Sequence, residues 1–127
     1  MPSQTVRPGF QSVVPYLSVQ GAAKLVEFLA AAFGAQHTFQ APSDTHFEVR
    51  IGDSMVMIGD VGTGPPRTGQ LFMYVDNPEG LYQRALAAGA TSILEPCDRP
   101  WGEGGTMLCG AGVKDPAGNL WHLAGPR

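Results

Sequence analysis

The chain states one structural unit twice. Residues 14–35 read VPYLSVQGAAKLVEFLAAAFGA, which is an alternating strand, a turn, an amphipathic helix and a Gly-Ala stop. Residues 70–90 read QLFMYVDNPEGLYQRALAAGA and repeat that order. Val19 corresponds to Val75 and Leu25 to Leu81 at an offset of 56. Gly34-Ala35 corresponds to Gly89-Ala90 at an offset of 55, because the second helix is one residue shorter. Each copy then closes alike, with a tight turn and a short apolar strand: GDSMVMIG at 52–59 and DPAGNLWHLAG at 115–125. A half of about sixty residues is marginal on its own, so the copies are expected to share one core or to pair through a dimer. A functional cavity is expected between them.

Composition narrows the class. The 127 residues fit a single domain: module one at about 12–60, a linker at about 61–69 and module two at about 70–125. Net charge is −3 and the eight Lys and Arg are scattered, which removes the basic footprint of a nucleic-acid binder. No apolar run approaches the roughly 20 residues that span a bilayer. The opening MPSQTVRPGFQS has no leader-like hydrophobic stretch. A soluble, cytoplasmic protein with neither nucleic acid nor membrane as partner is expected. Cys97 and Cys109 make neither a disulfide framework nor a metal-site spacing, and read as reduced thiols. The seventeen Gly and eleven Pro concentrate at 62–69, read as the linker, and at 96–105, read as a functional loop inside module two.

Periodicity assigns the elements and their faces. Alternation in Val13–Val19 and Leu71–Val75 predicts half-buried strands, and helical spacing follows over Ala22–Phe33 and Glu79–Ala88. Gly34 and Gly89 stand where a helix ends. Further strands are expected at Gln36–Gln40, Thr45–Ile51 and Ser54–Gly59, then at Thr91–Glu95, Thr106–Val113 and Asn119–Leu123. Each copy is therefore β-α-β-β-β. In copy one Leu17, Val19, Phe47, Val49, Ile51, Val56 and Ile58 form an apolar, helix-facing set. The opposite set mixes Val14, Tyr16, Ser18, His46, Glu48, Arg50, Met55 and Met57. In copy two Leu71, Met73, Val75, Trp121 and Leu123 face the helix, and Gln70, Phe72, Tyr74, Leu120 and His122 face away. Aromatic and thioether groups would be wasted in water, while His, Glu and Gln need partners if buried. Cavity walls with a few polar groups satisfy both conditions.

In these features the chain resembles the vicinal-oxygen-chelate superfamily, which holds glyoxalase I, extradiol dioxygenases and the fosfomycin- and bleomycin-resistance proteins. The resemblance runs from Val13 to Leu123 and is carried by VPYLSVQGAAKLVEFLAAAFGA, HFEVRIGDSMVMIGD and GVKDPAGNLWHLA. It is closest to the small glyoxalase-like members. It implies an α+β fold of two βαβββ modules, a U-shaped, largely antiparallel sheet around a cleft, and a homodimer. The family's metal-ligand positions fall here on Val14, Met57, Gln70 and His122. Val14 and Met57 offer no hard-metal donor, which leaves Gln70 and His122 where a catalytic divalent site normally has about three protein ligands. His46 and Glu48 face the same way and are the conceivable substitutes; the plainer expectation is that they bond to neighbours or to Arg50.

No cofactor is therefore expected, and the leading expectation is a metal-free small-molecule binder. Tyr16, Met57, Phe72 and Tyr74 would supply apolar or stacking contact; His46, Glu48, Gln70 and His122 would orient polar groups. Trp101, in the PWGEGG stretch, would close over the ligand or pack on the sheet edge. The alternative is a lyase, isomerase or dioxygenase with a divalent metal at Gln70 and His122. A third is a metal-free enzyme using His122 or His46 as acid–base. Trp121 is expected in the core, and Cys109, with no cationic neighbour, is not expected to be a nucleophile.

Overall fold

Helix α1 (Ala22–Phe33) follows from its apolar spacing: Ala22, Leu25, Val26, Phe28, Leu29 and Ala32 are all buried. It stops at Gly34, whose left-handed φ of 70° sends its N–H back to the Ala30 carbonyl. Its first turn has no side-chain cap of its own. Asp60 supplies one from 38 residues away, accepting from the Ala22 N–H at 2.9 Å and from the Gly62 N–H at 2.7 Å. A single carboxylate thus ties the start of α1 to the chain that leaves the module. These bonds, the Ala22 one foremost, hold the Asp60 carboxyl below its usual range. The stabilisation is therefore complete above the ordinary Asp value of about 3.9 and is lost as pH falls through the lower folded value. Asp60→Ala is expected to remove about 1 kcal/mol at pH 7, as loss of an N-cap does. Thermal melts of the two proteins should converge as the pH approaches 2; an equal gap at pH 7 and pH 2 refutes the assignment.

The structure, a computed structural model, describes residues 6–101 and 106–126. Strands β1 (Tyr16–Val19), β2 (Gln36–Gln40), β3 (His46–Ile51) and β4 (Ser54–Asp60) form one sheet in the order β1-β4-β3-β2. Strands β5 (Gln70–Tyr74), β6 (Thr91–Trp101), β7 (Thr106–Lys114) and β8 (Leu120–Gly125) form the second, in the order β5-β8-β7-β6. In each sheet the first strand runs parallel to the last and the other pairs are antiparallel. This is the α+β, twice-βαβββ architecture that the sequence predicts. Among the described residues no strand of one sheet pairs with a strand of the other, so the sheets remain separate rather than closing into one U.

The helices join the modules. Helix α2 (Pro78–Ala87) starts on Asn77, whose side chain accepts from the Gly80 N–H, with Pro78 in the first turn. Helix α1 lies against α2, and Arg84 of α2 donates to the Ala31 carbonyl of α1 at 3.0 Å. The helix-facing residues of both copies, from Leu17, Val19 and Val49 to Val113, Trp121 and Leu123, merge into one buried cluster. Phe33 of module one meets Trp121 of module two with ring centroids 5.1 Å apart. Trp121 is buried, as expected, and its indole N–H donates to Asp115 at 2.8 Å. Asp115 also accepts from the Ala117 and Asn119 backbone N–H groups and from the Asn119 side chain, each at 2.9 Å. The DPAGN turn is closed by this buried carboxylate.

One segment differs from expectation, and two others make contacts that the sequence does not signal. Residues 96–101, read as loop, continue β6 opposite Thr106–Gly110. Pro96 and Pro100 are tolerated because β6 ends its sheet, where a missing N–H breaks no inner ladder. The linker has no element of its own but is anchored: Arg67 exchanges backbone bonds with Ser18 beside β1. Lastly, the residues before β1 cross module one's outer sheet face, where Gln11 bonds both the N–H and the carbonyl of Met55. Met55, assigned to that mixed face, is fully covered. No helix among the described residues is long and apolar enough to cross a membrane.

Candidate functional site

Alternation along β3 and β4 sets His46, Glu48 and Met57 on the outer face of module one, and Tyr16 of β1 joins them opposite Met57. The Tyr16 ring fills space over Gly59; a Cβ there would lie 2.7 Å from the Tyr16 hydroxyl oxygen. His46 Nδ1 lies 3.4 Å from that hydroxyl, and its Nε2 lies 3.0 Å from Glu48 Oε2. Glu48 is only 3% exposed. Of the partners expected for Glu48, neighbours or Arg50, it has its neighbour His46, and it gains Arg7 of the N-terminal segment. The guanidinium makes a two-pronged bond, Nη1 to Oε2 at 2.9 Å and Nη2 to Oε1 at 3.1 Å. Arg7 above all, and His46 secondarily, hold the Glu48 carboxyl below its ordinary range against the opposing effect of burial. Arg7 also lies over the Phe10 ring at 4.3 Å.

Module two presents a second group. Gln70, Phe72 and Tyr74 alternate outward along β5, and Phe72 stands opposite His122 of β8. His122 Nε2 lies 3.2 Å from Gln70 Oε1, so the ring N–H donates to the amide oxygen. The Phe72 and Tyr74 rings meet edge to face at 5.1 Å and are 42% and 76% exposed.

The two groups stay on separate sheets. What lies between the modules is a cleft of about 680 Å³, bordered by Val13, Pro15 and the β3–β4 turn on one side and by β5 on the other, with Phe33 and Trp121 on its walls. Of the sequence-expected ligand residues it is lined by Phe72 and Tyr74. Tyr16, His46, Glu48 and Met57 stay on the outer face of module one, and Gln70 and His122 on that of module two. The Trp101 side chain lies outside the described residues. Gln11, Val13 and Arg7 were not singled out from the sequence; nothing in MPSQTVRPGFQS except its one cation signals a role.

The donor set does not fit a catalytic divalent ion. Gln70 and His122 are bonded to each other, while Val14 and Met57 supply no hard donor. His46 and Glu48 are engaged with one another and with Arg7 on the other sheet. Among the described residues no three His, Cys, Asp or Glu side chains converge. Cys109 is fully buried.

Residues 9–123 match the model of the Glyoxalase/Bleomycin resistance protein/Dioxygenase superfamily, and the chain belongs to that family. An uncharacterized protein of Mycobacterium bovis is 30% identical over 131 residues, covering 88% of this chain and 81% of that protein. Among solved structures, TioX from Micromonospora sp. ML1 superposes with a TM-score of 0.75 at 24% identity, covering 92% of this chain and 99% of TioX. Lactoylglutathione lyase from Agrobacterium tumefaciens superposes with a TM-score of 0.65 at 16% identity, covering 91% and 94%. At these identities the structural matches speak for the fold alone.

Proposed function

We propose that the protein is a metal-free binder of a small amphipathic organic molecule, held in the cleft between its modules. The observation that carries this reading is the cleft itself. Its volume falls in the range of drug-sized ligand sites, its walls come from both copies, and its lining is dominated by apolar and aromatic side chains. Phe72 and Tyr74 extend from it to the outer face, so a planar ring has an aromatic edge to stack on. Asp53, Ser54 and Asp76 are the polar side chains available to orient the ligand, while Gln11, also on the lining, is tied to the Met55 backbone. The donor set described above favours binding over metal-assisted chemistry. A homodimer belongs to the same reading, since Tyr74 and Met107 are large apolar side chains left exposed in the single chain.

Compounds that raise the melting temperature of the purified protein identify the ligand class. Phe72→Ala and Tyr74→Ala are each expected to weaken such a compound about fivefold, the equivalent of about 1 kcal/mol of lost stacking. Pools of aromatic and aliphatic compounds that never shift the melt overturn the proposal. So does stoichiometric divalent metal that is lost on Gln70→Ala or His122→Ala.

A further inference from the structure

Arg7 and Glu48 are an unequal pair. The carboxylate is built in: it sits on β3, an interior strand, at 3% exposure, and His46 is bonded to one of its oxygens. The guanidinium is only lent: its side chain is 60% exposed and comes from a segment that precedes the first strand. A buried carboxylate requires a cation, and the pocket is indifferent to which molecule brings it. The geometry is selective about shape, however. Both oxygens are presented to one planar fork, a pattern that guanidinium and amidinium groups match and a single ammonium does not. Rings border the same spot. Tyr16 and Phe39 lie 5.7 Å and 6.4 Å from the His46 ring, and both are about half exposed.

We propose that Glu48, His46, Tyr16 and Phe39 form a binding site for the planar cationic group of a small ligand, a guanidinium or amidinium, and that Arg7 occupies it as the chain's own stand-in. Binding exchanges one fork for another: the ligand takes both Glu48 oxygens and the Arg7 side chain moves out into solvent. Before and after the exchange the buried carboxylate faces one planar fork. The site is on the outer face of module one, apart from the inter-module cleft, and does not depend on that cleft holding a ligand.

Benzamidine, which joins an amidinium to an aromatic ring, is a direct probe. Calorimetric titration at pH 7 is expected to show Arg7→Ala binding it at least tenfold more tightly than the native chain, because the internal competitor is gone. Adding the isosteric Glu48→Gln to Arg7→Ala should remove that gain, and butylamine should bind the Arg7→Ala protein far more weakly than benzamidine does. Arg7→Ala binding no tighter than the native chain, or a gain that survives Glu48→Gln, overturns the proposal. Should Arg7→Ala fail to fold, the native protein is titrated while the Arg7 side-chain N–H resonance is followed by NMR. A saturable shift toward the solvent-exposed position supports the exchange, and an unmoved signal in large excess of benzamidine rules it out.

Discussion

Asp115→Ala is expected to cost about 3 kcal/mol or more of folding stability, because it orphans several buried donors at once. The carboxylate accepts two backbone N–H groups, the Asn119 amide and the Trp121 indole, and Asn119 and Trp121 are essentially inaccessible to solvent. The damage should spread beyond the turn. Asn119 uses its amide oxygen to accept from the Gly69 N–H at 2.8 Å, so the knot also fixes where β5 begins. Since β5 carries Gln70, Phe72 and Tyr74, loosening the knot should blunt ligand binding as well as stability. Urea unfolding followed by Trp fluorescence measures the first effect. Asp115→Asn, which keeps the shape and one oxygen, should lose less than Asp115→Ala. A loss below 1 kcal/mol for the alanine variant contradicts the account.

Gly125→Ala is the second large effect expected. A Cβ at this position would lie 1.8 Å from the Val75 carbonyl oxygen and 3.0 Å from its carbon. Those are backbone atoms, which have no rotamer to escape into. The strand end and the β5–α2 connection must separate, and the Val75 N–H bond to Ala124 at 2.9 Å goes with them. Overpacking against flexible side chains costs about 1–3 kcal/mol, and a clash with fixed backbone belongs at or beyond the upper end. A melting temperature within about 2 °C of the native value would show that the two segments can part freely. Intermediate destabilisation with retained fold should still weaken binding, because the displaced segment adjoins Tyr74.

What the sequence makes legible here is what repeats at short range. Helical spacing exposes the buried faces of α1 and α2, and period-two alternation separates Leu17, Val49 and Leu123 from Tyr16, Glu48 and His122. Gln70 and His122 are named together from the sequence only as the family's ligand positions; their direct bond, diagonal to the Phe72–His122 register pair, comes from the structure. Alternation, however, orders side chains within a sheet and is silent on how two sheets stand to each other. The polar groups of the two copies stand on separate sheets of this chain, and alternation does not say whether a shared cleft is built within one chain or across two. The Arg7–Glu48 bond spans 41 residues and the Asp60 cap 38, and neither leaves a local pattern. The β6 extension was hidden for a different reason: Pro96 and Pro100 argue against an inner strand, and only the sheet order reveals that β6 is an outer one.

That outer position has a consequence for how the molecule behaves in company. A strand at the margin of a sheet is a template on which another chain can crystallise its own backbone, the first step toward fibres. On β6 two residues have no N–H to offer, and two register shifts kink the ladder. On β2, the margin of the other sheet, a register shift between His37 and Phe39 interrupts it as well. Along β1 the linker has already taken a place through Ser18 and Arg67. At these three margins, whatever joins this protein, a small molecule or a second copy, is steered toward side chains and away from the backbone; β5, the fourth margin, pairs with β8 without such an interruption.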